Sequence, residues 1–552
     1  MISSSSTLKD AFTTFVAAPS VSEALSSFDA VRRACGVDES TRGLALFEQL
    51  KKALVPALPF RSAQLFSLLA ARVAAHSAVR RTAVASEALV IAGAGPVGLR
   101  AAVEAVLCGF VSVDVVELRA DFSRLNVLKT WKPTLADLIA LGHKILCPSQ
   151  QTHGFAYVGT RDLQATLLKV ALLLGVRFQF ESRVVGVTRV DGAWHAVVVP
   201  TPPRSATAQH DALAFAACRT DVSAMQRTSA VGFTEPAAGE GAVLDDEALA
   251  RLRASFSVGV LRVNTLVVAE GERSVLLSNL GFSRRVTRFA SAVALVVNLR
   301  RDAGAAAAGE RIGVASMSAA DWNSGDASAL VKLAERGIKC ENVAHLVSSE
   351  ARFFVLTIKK ETLVERGVFL QDPENGSRIV ISRDNINTDV LTQLARDVAA
   401  TFGHGGDQFA SANPIQLFDF SSKGELVDKA RAFGDLLVLP VGDALQNPFW
   451  PQGLGVNRGF HSALDGVAAA LLRHDDVERA IDTAVFLHSC RNYTAFFEKV
   501  VLPTADQWTC DPTTRYTRQH FLRMHMDAVE QGVESPLSDA LLAHFGWKRQ
   551  LE

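Results

Sequence analysis

Cysteine is sparse in this chain and scattered. There are seven in 552 residues, at 35, 108, 147, 218, 340, 490 and 510, with no CxxC. An odd number at wide spacing argues against a disulfide framework or a zinc site and for a reducing compartment, where the thiols read as small buried hydrophobes. Net charge is absent as well, because Lys plus Arg equals Asp plus Glu at 57 each. Bulk electrostatics therefore gives no handle for nucleic acid or an anionic membrane. No uncharged run reaches the ~18 residues that cross a bilayer. The most apolar stretch, Ala88 to Leu99, is broken by glycines at 93, 95 and 98. The opening Met1-Ile2-Ser3-Ser4-Ser5-Ser6 has neither the basic nor the apolar region of a secretory leader, and Asp10 with few arginines speaks against an organelle transit peptide. Gly-x-Ser-x-Gly, HExxH and the P-loop lysine pattern are missing, as are internal repeats. What remains is a cytoplasmic α/β chain with no transmembrane segment and no metal expected.

The composition that is present is globular, with 49% hydrophobic and 21% charged residues. Residues 7–81 read as helices, since Leu44, Phe47, Leu50, Leu54 and then Leu65, Leu68, Leu69, Val73 recur at helical spacing. From 87 the pattern turns βαβ: a strand at 87–92, a helix at 96–108 and a strand at 111–116. Helices are expected at 161–174, 384–402 and 456–472. Strands are expected at Leu261 to Val268, Phe289 to Leu299, Phe353 to Ile358, Arg378 to Ile381 and 435–441. Ala303 to Gly309 reads as a loop tip, and His404-Gly405-Gly406-Asp407 as a turn.

Two distant glycine segments carry the chemistry. In the first, Gly93, Gly95 and Gly98 fit G-x-G-x-x-G between a strand and a helix opened by Pro96. Gly93 permits the tight turn, Gly95 lets a pyrophosphate reach the backbone, and Gly98 lets helix and strand pack closely. Phosphates then meet free N–H groups at a helix N-terminus. Glu117 closes the next strand, placed to accept from ribose hydroxyls, and favours an unphosphorylated ribose (FAD or NAD).

The second segment follows a buried strand. Asp443 suits a ribityl hydroxyl. Pro451-x-Gly453-x-Gly455 then opens a helix whose N–H groups suit the pyrimidine edge of a reduced isoalloxazine, a dipole effect of about 0.3–2 kcal/mol. Asn457 adds a side-chain hydrogen bond.

These residues resemble the monooxygenase domain of the MICAL family, within the para-hydroxybenzoate-hydroxylase-like flavoproteins. The likeness covers nearly the whole chain. It is strongest in Gly93 to Arg100 and in Phe122-Ser123-Arg124-Leu125-Asn126-Val127-Leu128 onward to Gly142, and continues in Leu163-Gln164, Asn447-Pro448-Phe449-Trp450-Pro451 and Asp511-Pro512-Thr513-Thr514-Arg515-Tyr516. The resemblance implies FAD as cofactor, NADPH as hydride donor, a hydroperoxyflavin, oxidation of methionine in filamentous actin, and hydrogen peroxide as the uncoupled product. Carried over by position, it assigns FAD contacts to Val97, Glu117, Arg119, Arg124, Asn126 and Asp443, and the aromatic place beside the flavin to Trp450. Arg119 and Arg124 can neutralise a pyrophosphate, and Trp450 between two prolines offers an apolar wall against water. Gln452, Leu454 and Asn457 stand where the family usually has Met, Thr and Ala or Cys. Asn457 instead matches small-molecule aromatic hydroxylases.

The expected architecture is an FAD-binding Rossmann-like domain built from residues 1–285 and 425–552, with an N-terminal helical part at 1–81. A sheet-based substrate domain at 286–424 is inserted in it. Three functions stay open: a monooxygenase acting on protein methionine, a hydroxylase of a small aromatic, and a flavin-binding interaction module with little turnover.

Overall fold

The computed structural model describes residues 5–147, 157–201, 243–288, 292–301, 313–319, 328–347, 351–370, 381, 385–410, 414–419, 422–447, 455–493 and 504–517, with Met526 and Glu530. The N-terminal part is helical, as Ser5–Ala17, Val21–Ala34, Gly43–Leu54 and Phe60–Ala75. The second of these helices begins at Ser20, whose hydroxyl accepts from the Glu23 N–H, with Arg32 and Arg33 in its last turn. Cap and end charges both suit the helix dipole. Phe12, Phe15, Phe47 and Phe66 are fully buried and join the core that continues into the parallel sheet.

That sheet has six strands in the order Arg431–Phe433, Leu436–Pro440, Thr265–Val268, Ala88–Ala92, Ser112–Val116 and Arg177–Gln179. All pairings are parallel except the first, which is antiparallel. Ala88–Ala92 and Leu436–Pro440 are buried at every position, as strands covered on both faces must be. The helices Pro96–Leu107 and Gly455–Leu472 lie against each other beside the sheet. The chain thus reaches the central strands from three remote parts of the sequence.

A four-stranded sheet joins Val243–Leu244, Ser182–Val190, Ala193–Pro200 and Gly259–Arg262. A five-stranded antiparallel sheet runs Gly313–Ala319, Cys340–Val347, Ala351–Lys359, Ala292–Arg300 and Ile415–Asp419, with the helix Thr388–Thr401 contributing Leu391, Leu394 and Val398 to its core. A two-stranded ribbon, Arg284–Arg288 with Ser422–Leu426, links the ends of that region.

The single strand expected at Leu261 to Val268 is two strands in different sheets. Gly259–Arg262 pairs with Ala193–Pro200, and Thr265–Val268 enters the parallel sheet. Asn264 makes the switch: its side-chain oxygen accepts the Ala88 N–H at 2.9 Å and its own N–H donates to the Ala88 carbonyl. Likewise Phe289 to Leu299 gives way to Ala292–Arg300, preceded by the ribbon strand Arg284–Arg288. Of Arg378 to Ile381 only Ile381 is described, and it is not in a strand; Ala303 to Gly309 lies outside the described residues. Residues 404–407 do turn, with the Asp407 N–H donating to the His404 carbonyl at 3.1 Å. Among the described residues no helix is long and apolar enough to cross a membrane.

Candidate cofactor site

The first glycine turn is explained by its own packing at two of three positions. Gly93 has φ +105°, and a Cβ there would lie 2.7 Å from the Ala269 carbonyl oxygen. A Cβ on Gly98 would lie 2.0 Å from the Gly93 carbonyl oxygen. Gly95 differs. Its φ of −66° and ψ of 169° suit any residue, and a Cβ would meet no protein atom nearer than 4.0 Å. Neither backbone strain nor packing asks for glycine at 95. Its backbone is therefore open on that side.

Glu117 follows the strand Ser112–Val116 and is buried. Its Oε2 accepts the Ala94 N–H at 2.7 Å and its Oε1 accepts the Arg119 N–H at 3.0 Å. The Gln164 side-chain amide donates to the Ala94 carbonyl at 2.9 Å. The peptide before Gly95 is therefore clamped on both sides. Gln164 had no role by motif; only its three-dimensional partner reveals one.

The second segment meets the first through Val97. Gly442 has φ +61°, and a Cβ on it would lie 3.0 Å from Val97 Cγ1. A Cβ on Gly459 would lie 2.5 Å from Val97 Cγ2. The Gly442 N–H donates to Ser462 Oγ at 3.0 Å, tying the turn to the helix Gly455–Leu472. Val97 is thus held between two side-chain-free positions of the second segment, 345 or more residues away in sequence.

Asp443 and Arg124 share a telling property. Both are exposed to solvent by area, yet protein surrounds them closely enough that burial is the first cause of their shifted ionisation. That combination marks the wall of a cleft. Burial pushes the Asp443 carboxyl above its ordinary range, Arg124 and Arg284 pull it back, and Glu272 pushes it further. Burial and then Arg119 lower the Arg124 pKa, while Asp443 and Glu117 oppose them. Glu117, Arg119, Arg124, Asp443 and Arg284 therefore act on one space. Arg284 also donates to the Ala444 carbonyl at 2.5 Å, fixing the turn after Asp443.

The remaining expected residues divide. Asn126 contributes its carbonyl, which accepts from the Thr160 N–H at 2.9 Å and hydroxyl at 2.7 Å. Asn457 is fully buried; its Oδ1 accepts the Trp131 N–H at 2.8 Å and its Nδ2 donates to the Lys129 carbonyl at 3.0 Å. These bonds tie the second glycine helix to the stretch just after Asn126. Arg119 stands at the rim, 3.5 Å from Glu117 and half exposed. Gly455 begins the second helix. Trp450 and Gly453 lie outside the described residues.

Beneath the turn, Arg100 donates to both oxygens of Asp137 at 2.9 and 3.1 Å and to Glu104 at 2.9 Å. Arg72 also reaches Asp137, at 2.9 Å, and donates to the Ala505, Asp506 and Trp508 carbonyls. All four charged side chains are essentially fully buried. Pairing and several hydrogen bonds per group offset their desolvation.

Against this geometry the comparisons are specific. The family model described as "Mical, Rossman domain" matches residues 293–416. That stretch holds most of the antiparallel sheet; the parallel sheet with the glycine turns lies outside it. The chain is 32% identical over 474 residues to the F-actin monooxygenase MICAL1 of Mus musculus, covering 83% of this chain and 38% of that protein. The chain is thus similar to MICAL proteins over most of its own length. It is also 29% identical over 462 residues to the protein-methionine sulfoxide oxidase mical3a of Danio rerio, covering 79% of this chain and 20% of that one. It therefore spans well under half the length of these MICAL proteins. Among solved structures, the anhydrotetracycline hydroxylase OxyS of Streptomyces rimosus aligns with TM-score 0.43 and 14% identity over 80% of this chain and 73% of that one.

Proposed function

We propose that this chain is a flavin monooxygenase that binds FAD, consumes NADPH and transfers one oxygen atom to a methionine side chain of a protein, with actin the first substrate to try. Uncoupled turnover would release hydrogen peroxide. The observation that carries the reading is Val97 seated between Gly442 and Gly459, which brings the open Gly95 turn and the Asp443 cleft together. The names and the sequence identity of the MICAL relatives support the activity and the substrate class.

The residues present fit FAD. Gly95 leaves its backbone open to a pyrophosphate at the helix start. Glu117, already fixed by two backbone N–H groups, keeps lone pairs for ribose hydroxyls. Arg119 and Arg124 would neutralise phosphate charge, and Asp443 would accept from the ribityl chain. Gly453 and Gly455 would present the start of the second helix to the isoalloxazine, and Trp450 would keep water from it. When bound and reduced, FAD supplies the electrons that let molecular oxygen deliver one atom. The protein's part is to hold the cofactor, orient the thioether and exclude water. In this reading residues 1–285 with 425–552 bind FAD, and 286–424 present the substrate.

NADPH added without oxygen should bleach the bound flavin; no bleaching would leave only a low-turnover binding module. NADPH consumption then needs comparing with actin filaments and with a panel of phenols and indoles. Acceleration by filaments, with one oxygen gained on an actin methionine by mass spectrometry, supports the reading. Acceleration by a phenol or indole alone replaces it with small-molecule hydroxylation.

A further inference from the structure

We propose that His76, Glu104, Cys108 and Cys510 form a buried structural site for a divalent cation of the zinc class. Nothing in the cofactor reading uses these donors. They come from three separated stretches, which is why cysteine spacing alone points away from zinc. His76 caps the helix Phe60–Ala75, Glu104 and Cys108 lie on the helix Pro96–Leu107 and its cap, and Cys510 belongs to the segment 504–517.

The donor atoms already converge. His76 Nε2 lies 3.0 Å from Glu104 Oε1, that oxygen lies 3.7 Å from Cys108 Sγ, and Cys108 Sγ lies 3.5 Å from Cys510 Sγ. Donors about 2.0–2.3 Å from one tetrahedral ion are about 3.3–3.8 Å apart. Small shifts bring these three edges to the required lengths; Cys510 Sγ lies more than 4.8 Å from at least one of the other donors, so its side chain must also turn toward the ion. The two sulfurs are well beyond the ~2.05 Å of a disulfide. Among the described residues, His76, Glu104 and Cys108 are the one group of three such donors found this close together. All four residues are buried.

The outer partners are those that a metal site needs. His76 Nδ1 is 2.7 Å from the Arg72 carbonyl oxygen, so an Nδ1–H donated there fixes the ring with Nε2 toward the ion. Glu104 gives its other oxygen to Arg100, leaving Oε1 for the metal. Arg72 and Arg100 offset Asp137 and Glu104 in charge, and binding of a divalent ion would release the two thiol protons. The ion would fasten the C-terminal segment and the N-terminal helices to the back of the first glycine helix.

The full chain, expressed in medium supplemented with zinc or with cobalt, tests this. The expected result is one metal ion per chain by elemental mass spectrometry and, for cobalt, intense thiolate-to-metal charge-transfer absorption. Cys108→Ala and Cys510→Ala should each lower metal content at least tenfold with flavin content within twofold of wild type. Wild type without stoichiometric metal would overturn the proposal, whether peptide mapping finds free thiols or a Cys108–Cys510 disulfide. Metal retained in both variants would overturn it too. The wild-type measurement stands even if a variant fails to fold.

Discussion

Val97 and Gly442 are in contact: a Cβ on Gly442 would come within 3.0 Å of Val97 Cγ1. This contact joins two glycine turns that sequence alone could only pair by analogy. Gly459 completes the socket, with a Cβ there 2.5 Å from Val97 Cγ2. Gly459→Ala should push the two helices apart at a cost of about 1–3 kcal/mol and lower flavin content in the purified protein. Adding Val97→Ala to that variant should restore part of the loss. A Gly459→Ala protein with unchanged flavin content and melting temperature would show that the socket has slack.

Gly95 separates ligand approach from folding. Gly95→Val places a Cβ 4.0 Å from the Ala269 carbonyl oxygen, an ordinary contact, at a φ that valine adopts. The variant should fold, as read by circular dichroism, and lose FAD. Gly98→Val, whose Cβ would collide with the Gly93 carbonyl, should lose the fold as well.

Glu117→Gln keeps the size of the side chain and removes its charge. It replaces one of the two charge-assisted acceptors for the Ala94 and Arg119 N–H groups by a donor. A loss of about 1.5–3 kcal/mol predicts FAD binding weakened by about 10- to 150-fold, measurable by flavin fluorescence titration.

The buried charges make a stability prediction. Asp137→Ala would strand Arg72 and Arg100 in the core, at a cost of about 3–5 kcal/mol. The variant should be recovered mainly in the insoluble fraction, or melt well below wild type. An unchanged melting temperature would mean that Glu104 alone sustains both arginines.

Acid should weaken the fold through two histidines. Burial is the main cause that lowers His488 to about 3, and burial followed by Arg515, Arg491 and Arg458 lowers His461 well below 6.5. The unfolded chain takes up these protons near pH 6.5 and the folded chain does not, so stability is lost as pH falls below about 6.5, for His488 down to about 3. Each histidine contributes a slope of about 1.4 kcal/mol per pH unit in that window. Glu425, lowered by its hydrogen bond from His488, adds a loss in the same direction below about pH 4.5. His488→Gln should flatten the dependence of melting temperature on pH between 6.5 and 5.

Much of this was legible in the residues. The strand-glycine-helix pattern at 88–107 and the buried run at 436–440 announce themselves by periodicity and by glycine placement. The switch at Asn264 was not legible, because both flanking runs are apolar and period alone cannot say that a chain changes sheets. Gln164, Arg72 and Asp137 were also hidden as functional or supporting residues, since their roles are defined by partners dozens to hundreds of positions away. Asn457 adds a partner the motif could not show: besides the amide the motif offers to a flavin, it bonds the Lys129 and Trp131 backbone.

The visible absorption spectrum of the purified full chain, with and without added FAD, tests the central claim most directly. A convergent site predicts a yellow protein carrying one FAD per chain, and a Gly95→Val variant that folds but stays colourless. A well-folded wild type that remains colourless and takes up no FAD on reconstitution would contradict it.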